Sequence, residues 1–177
     1  MSVERVNMHE MIDFLIRVRR GYVTTGQESY NCGSWGCKFK RQGDLYFFVR
    51  DELVTLGGKE VFSTRYQGQI MPDFLPEKLG EETAFCLAKR ANNLLNQRDL
   101  SDPPRLLKLV EEADVEIEGF PELRYSAEID RKCLKQGEDG VKRINMDLFA
   151  GFDKVEINQG GVMSTLLNGR FLAGRLR

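Results

Sequence analysis

The chain has 177 residues, enough for one large domain or two small ones sharing a core, and a globular chain of this size buries roughly 70% of its unfolded surface without help from metal or disulfide. Lys and Arg number 26 against 27 Asp and Glu, for a net charge of −1; the basic excess of proteins that neutralise phosphates is missing, so no nucleic-acid partner is expected. No window approaches the ~18 consecutive apolar residues of a membrane helix, and Met1-Ser2-Val3-Glu4-Arg5 lacks the basic-then-apolar order of a signal peptide. No membrane partner is therefore expected, and the cytoplasm is the expected compartment.

In chain order, Met8, Met11, Ile12, Leu15 and Ile16 recur at spacings of three and four and predict a first helix. Asn7 is its expected N-cap, with Glu10 three residues on, and Gly21 its expected end. Thr24 to Gly36, rich in Gly, Ser, Thr and Asn, reads as a loop. From Lys38 to Gly68 the period changes to two. Asp44–Arg50 and Glu52–Leu56 are predicted strands, Gly57-Gly58 a two-residue turn, and Glu60–Tyr66 the returning strand of an antiparallel meander.

Pro72 and Pro76 precede a second predicted helix with the stripe Ala84, Phe85, Leu87, Ala88, Ala91, Leu94 and Leu95. Ser101-Asp102-Pro103-Pro104 has the form of a further helix start. Strand alternation resumes at Val115–Ile117, Leu123–Ile129, Ile144–Leu148, Lys154–Ile157 and Arg170–Leu172, with turn signals at Gly160-Gly161 and Asn168-Gly169.

An internal repeat is suggested by laying Tyr46–Val54 on Leu148–Glu156 at an offset of 102, which matches Phe47 with Phe149 and Asp51 with Asp153. Gly58-Lys59 then matches Gly169-Arg170 at an offset of 111. The expected fold class is α+β: two related halves, residues 1–72 and 73–177, each a helix with an antiparallel meander, forming one compact unit.

The stretch Phe14-Leu15-Ile16-Arg17, followed by the run from Asp51-Glu52-Leu53-Val54 through Gly57-Gly58-Lys59 to Tyr66-Gln67-Gly68, resembles a bacterial domain family of unknown function, found alone or behind an XRE-type helix-turn-helix. The resemblance implies a helix plus meander, often duplicated, and carries no catalytic residues. Phe62 stands where the family has tryptophan, Ser63-Thr64-Arg65 replaces an amide-rich run, and the second copy ends in Arg175-Leu176-Arg177 without Tyr-x-Gly.

Chemistry-bearing patterns are sparse. The spacing of Cys32 and Cys37 admits a disulfide or half of a zinc site, whose other ligands would have to come from Cys86, Cys133 or His9, the only histidine. Reduced cysteines are the favoured reading in a reducing compartment, with Cys86 as a small buried hydrophobe in its helix. A cysteine nucleophile would need His9 as its base. Asp51 with Asp153, or Glu52 with Glu156, could form an acid/base couple, though alternating strands place such residues toward solvent. The expectation is no catalytic residue, no metal and no cofactor. A ligand pocket is expected at Tyr46, Phe48, Arg65 and Tyr66, where aromatics, two hydroxyls and a guanidinium converge in sequence. The leading functional expectation is a non-enzymatic binding or regulatory module for a small molecule or protein partner. The alternatives are a hydrolase or transferase built from scattered carboxylates and arginines, and a structural homodimer pairing its sheet edges.

Overall fold

The computed structural model describes residues 6–101, 112–116, 122–140, 142–145 and 147–176. Helix α1 spans Met8–Thr25. The Asn7 side chain accepts hydrogen bonds from the backbone N–H of His9 and Glu10 and donates to the Glu10 carboxylate at 2.9 Å, closing the first turn. The helix runs past Gly21 and stops at Gly26, whose left-handed φ of 70° lets its N–H reach the Tyr22 carbonyl. Gly21 serves a different purpose: a Cβ there would collide with the ring of Tyr30, so the glycine admits the neighbouring strand.

Four strands follow: β1 (Ser29–Cys32), β2 (Trp35–Gly43), β3 (Phe47–Leu56) and β4 (Lys59–Ile70). Two departures from the sequence reading stand out. The expected loop before Gly36 contains β1 and the start of β2, and the two strands expected on either side of Asp51 are one continuous strand, β3. The Gly57-Gly58 turn joins β3 to β4 as expected, both residues having positive φ. A 3₁₀ turn (Pro72–Phe74) and the short helix α2 (Pro76–Leu79) lead into α3 (Glu81–Ser101). Then come β5 (Glu112–Glu116), β6 (Leu123–Ile129), the hairpin β7 (Leu134–Gln136) and β8 (Lys142–Ile144), and the long pair β9 (Phe149–Gln159) and β10 (Val162–Arg175). The helix expected to begin at Ser101-Asp102-Pro103-Pro104, together with Ile117 and Met146, lies largely outside the described residues.

Eight strands form one antiparallel sheet in the order β1-β2-β3-β4-β10-β9-β6-β5. Both long helices cover the same face. Met11, Phe14, Leu15 and Val18 of α1 pack with Cys37, Phe39, Val54, Phe62, Phe149 and Ala173. Ala88, Ala91, Leu94 and Leu95 of α3 pack with Phe48, Tyr66, Ile70, Leu123, Val155 and Leu167. Within the α3 stripe the sequence reading errs at Phe85, which is 51% exposed, and Cys86 is exposed as well. The buried stripe needs only the narrow arc through Ala84, Ala88, Ala91 and Leu95, and both neighbours fall outside it.

Because strand residues alternate faces, a one-residue shift exchanges core for solvent. This bears on the repeat. Phe47 is 45% exposed, whereas its expected counterpart Phe149 is 1% exposed. Asp153 is buried while Asp51 lies on the other face, and Gly58 is a turn residue while Gly169 sits inside β10. The pairing at offsets of 102 and 111 therefore joins residues in unlike surroundings.

Candidate functional site

The four residues expected to line one pocket are divided by the pleat of the sheet. Phe48 and Tyr66 lie under the helices, stacked with ring centroids 5.8 Å apart and nearly inaccessible. Tyr46 packs against the same apolar cluster, and its carbonyl accepts a 2.7 Å hydrogen bond from Ile70 N–H. Arg65, adjacent to Tyr66 in sequence, points to the opposite face, where its Nε is 3.4 Å from Asp51 Oδ1. Phe48 and Tyr66 build core, Tyr46 is half-buried against it, and Arg65 is exposed.

On the covered face several polar groups pair with one another, while the Thr64 hydroxyl is buried without a hydrogen-bond partner among the described residues. Tyr66 donates to Asp153 Oδ1 at 2.8 Å and Tyr125 to Asp153 Oδ2 at 3.2 Å. Gly169 makes the arrangement possible, since a Cβ at that position would overlap both the carboxylate and the Tyr66 hydroxyl. The Arg50 guanidinium lies 5.7 Å from the Tyr66 ring centroid. Closer to α1, Arg19 grips Glu52 through two bonds, Nε to Oε1 at 3.0 Å and Nη2 to Oε2 at 2.6 Å. Asp51 and Asp153 thus lie on opposite faces, as do Glu52 and Glu156, the latter bonded to Lys154 at 2.8 Å. Neither pair can work as an acid/base couple.

The cysteines also separate. In the β1–β2 hairpin Cys32 is opposite Trp35 and Cys37 opposite Tyr30, so the two are not cross-strand partners. Cys32 is exposed and Cys37 buried. Burial, reinforced by the Glu52 carboxylate, pushes the Cys37 thiol far above its ordinary range, which leaves it un-ionised and poorly nucleophilic at neutral pH. Among the described residues no three His, Cys, Asp or Glu side chains are grouped to hold a metal.

The face of the sheet opposite α1 and α3 carries a cleft of about 830 Å³, within the range usual for small-molecule sites. Two cross-sheet rows form its floor. One runs Lys40, Asp51, Arg65, Leu172 and the other Lys38, Leu53, Ser63, Gly174, each across β2, β3, β4 and β10. Asp147 and Leu148 wall the β10 side. A Cβ on Gly174 would strike the Asp147 carbonyl, so this glycine lets that segment lie directly on the strand. Arg175 and Leu176 close one end and Glu28 stands on the β2 side. Of the expected site residues only Arg65 belongs here. The Lys38-Phe39-Lys40 alternation was the available sequence signal for the floor, but only the pairing of β4 with β10 adds Leu172 and Gly174. No protein-family profile, curated protein or solved structure matches the chain, and no helix among the described residues is long and apolar enough to cross a membrane.

Proposed function

We propose that this chain is a non-enzymatic binding module whose ligand, a small molecule or a short segment of a protein partner, occupies the cleft on the face opposite α1 and α3. The observation that carries the reading is the cleft itself: about 830 Å³ floored by β2, β3, β4 and β10, with charged groups and exposed leucines within one opening. A sheet face stabilised from behind by α1 and α3 offers a rigid floor that needs no rearrangement to bind.

The reading extends to the whole chain. Its likeness to bacterial domains attached to XRE-type regulators fits a sensing role in the cytoplasm. Residues 1–72 and 73–177 fit two copies of one unit in a register that equates Gly57-Gly58 with Gly160-Gly161. In support of duplication, the strand order reads alike from both ends, β1-β2-β3-β4 meeting β10-β9-β6-β5, and a long helix precedes each set.

The test is a ligand screen on the full chain by native mass spectrometry, followed by ¹H–¹⁵N shift mapping. Perturbations centred on Lys40, Arg65 and Leu172 are expected. Turnover of a substrate from a general panel, abolished by one point substitution, would overturn the reading.

A further inference from the structure

The two ends of the cleft differ in chemistry. At the β2 end, Lys38 and Lys40 both stand exposed on the floor, two residues apart on one strand and hence on one face. The floor's single carboxylate at the row centre, Asp51, is already engaged by Arg65 at 3.4 Å. Asp147 on the wall lies 3.9 Å from Lys135 Nζ, and Glu28 stands on the β2 rim. At the β10 end three leucines open to water stand beside Asp147 and Arg175: Leu148, Leu172 and Leu176 are 57%, 50% and 38% exposed. Clustered leucines left open to water mark a binding surface more often than scattered ones do. Three interstrand steps separate Lys40 from Leu172, about 14 Å at the usual strand spacing.

Resting on the cleft as the binding site, we infer that its ligand is an amphipathic anion: a small molecule with a carboxylate or equivalent group toward Lys38 and Lys40 and an apolar body over Leu148 and Leu172. Burial of the leucines supplies most of the affinity, since each Å² of apolar surface removed from water contributes about 25 cal/mol. The exposed lysines set orientation and sign of charge, adding a modest, salt-sensitive preference.

Octanoate, 1-octanol and octyltrimethylammonium serve as matched probes on the full chain, read by methyl shifts of Leu148 and Leu172. Octanoate is expected to shift both methyls and to bind about five- to tenfold more tightly than octanol at low salt. The variant Lys38→Gln/Lys40→Gln is expected to abolish that difference while leaving octanol binding unchanged; Leu172→Asp is expected to weaken both ligands. All these residues are exposed, and circular dichroism establishes that the variants fold. Equal binding of octanoate and octanol, or preference for the ammonium, overturns the anionic end and leaves the cleft reading standing. Absence of any shift at Leu148 and Leu172, with these probes and with a fragment library, overturns both.

Discussion

Tyr66 and Asp153, 87 positions apart in the chain, meet under the helices in a 2.8 Å hydrogen bond from the phenol to the carboxylate. The bond spans the β4–β10 junction on which the eight-stranded sheet depends. Tyr66→Phe withdraws a donor from a buried acceptor and is expected to cost about 1–3 kcal/mol in urea unfolding. Tyr125→Phe, at 3.2 Å and half-buried, belongs at the low end of that range. Gly169→Ala should cost more than either, because the added methyl occupies the position of the bond itself. Equal stability of wild type and Tyr66→Phe would contradict this assignment.

Arg19 and Glu52 tie α1 to β3 through a buried bidentate pair. Glu52→Ala leaves a guanidinium deprived of its carboxylate and is expected to lose about 3–5 kcal/mol, whereas replacing both partners with Met and Leu should recover most of the loss. Chemical denaturation of the single and double variants decides the matter; equal losses would show that the pair itself carries the stability.

Asp44 Oδ1 accepts hydrogen bonds from the backbone N–H of Tyr46 and of Phe47, both 2.8 Å long, and shapes the entry into β3. The Phe47 bond first and the Tyr46 bond second hold its carboxyl below the ordinary value of 3.8. With a folded value below the unfolded one, the contribution to stability is complete above the unfolded value and disappears as pH falls through the folded one. A ¹³C titration should place the Asp44 midpoint below those of acids without such bonds, and Asp44→Asn should remove this part of the acid response.

The cysteines should divide by burial. Exposed Cys32 and Cys86 are expected to be alkylated rapidly in the native protein, and Cys37 only as the protein unfolds. Peptide mass spectrometry after timed iodoacetamide exposure distinguishes these rates; prompt labelling of Cys37 would contradict its burial.

Much of the local structure was legible in residue order because its causes are local. Asn7 and Glu10 announce the start of α1, and Gly57-Gly58 announces the β3–β4 turn through the positive φ that glycine adopts without strain. The end of α1 was misplaced because Gly21 carries a long-range message, the approach of Tyr30, that looks the same in sequence as a stop signal. Strand β1 is hard to see in sequence because an edge strand of Ser, Tyr, Asn and Cys makes a weak periodic signal.

The candidate site was legible only in part. Tyr46, Phe48, Arg65 and Tyr66 form a plausible set in one dimension, yet the period-two pleat sends Arg65 to one face and Phe48 and Tyr66 to the other. The same parity separates Asp51 from Asp153. The cleft draws on β2, β3, β4 and β10, and its β10 contribution comes from more than a hundred residues beyond β4.

Residue order by itself determined the α+β composition, the meander around Gly57-Gly58 and the capped first helix, since dihedral preference and hydrophobic period act over a few neighbours. Tertiary structure alone decided that β4 lies beside β10, that both helices cover one face, and that Lys40, Arg65 and Leu172 share the other. Those choices follow from burying apolar surface across the whole sheet at once, a condition that no short window of sequence contains.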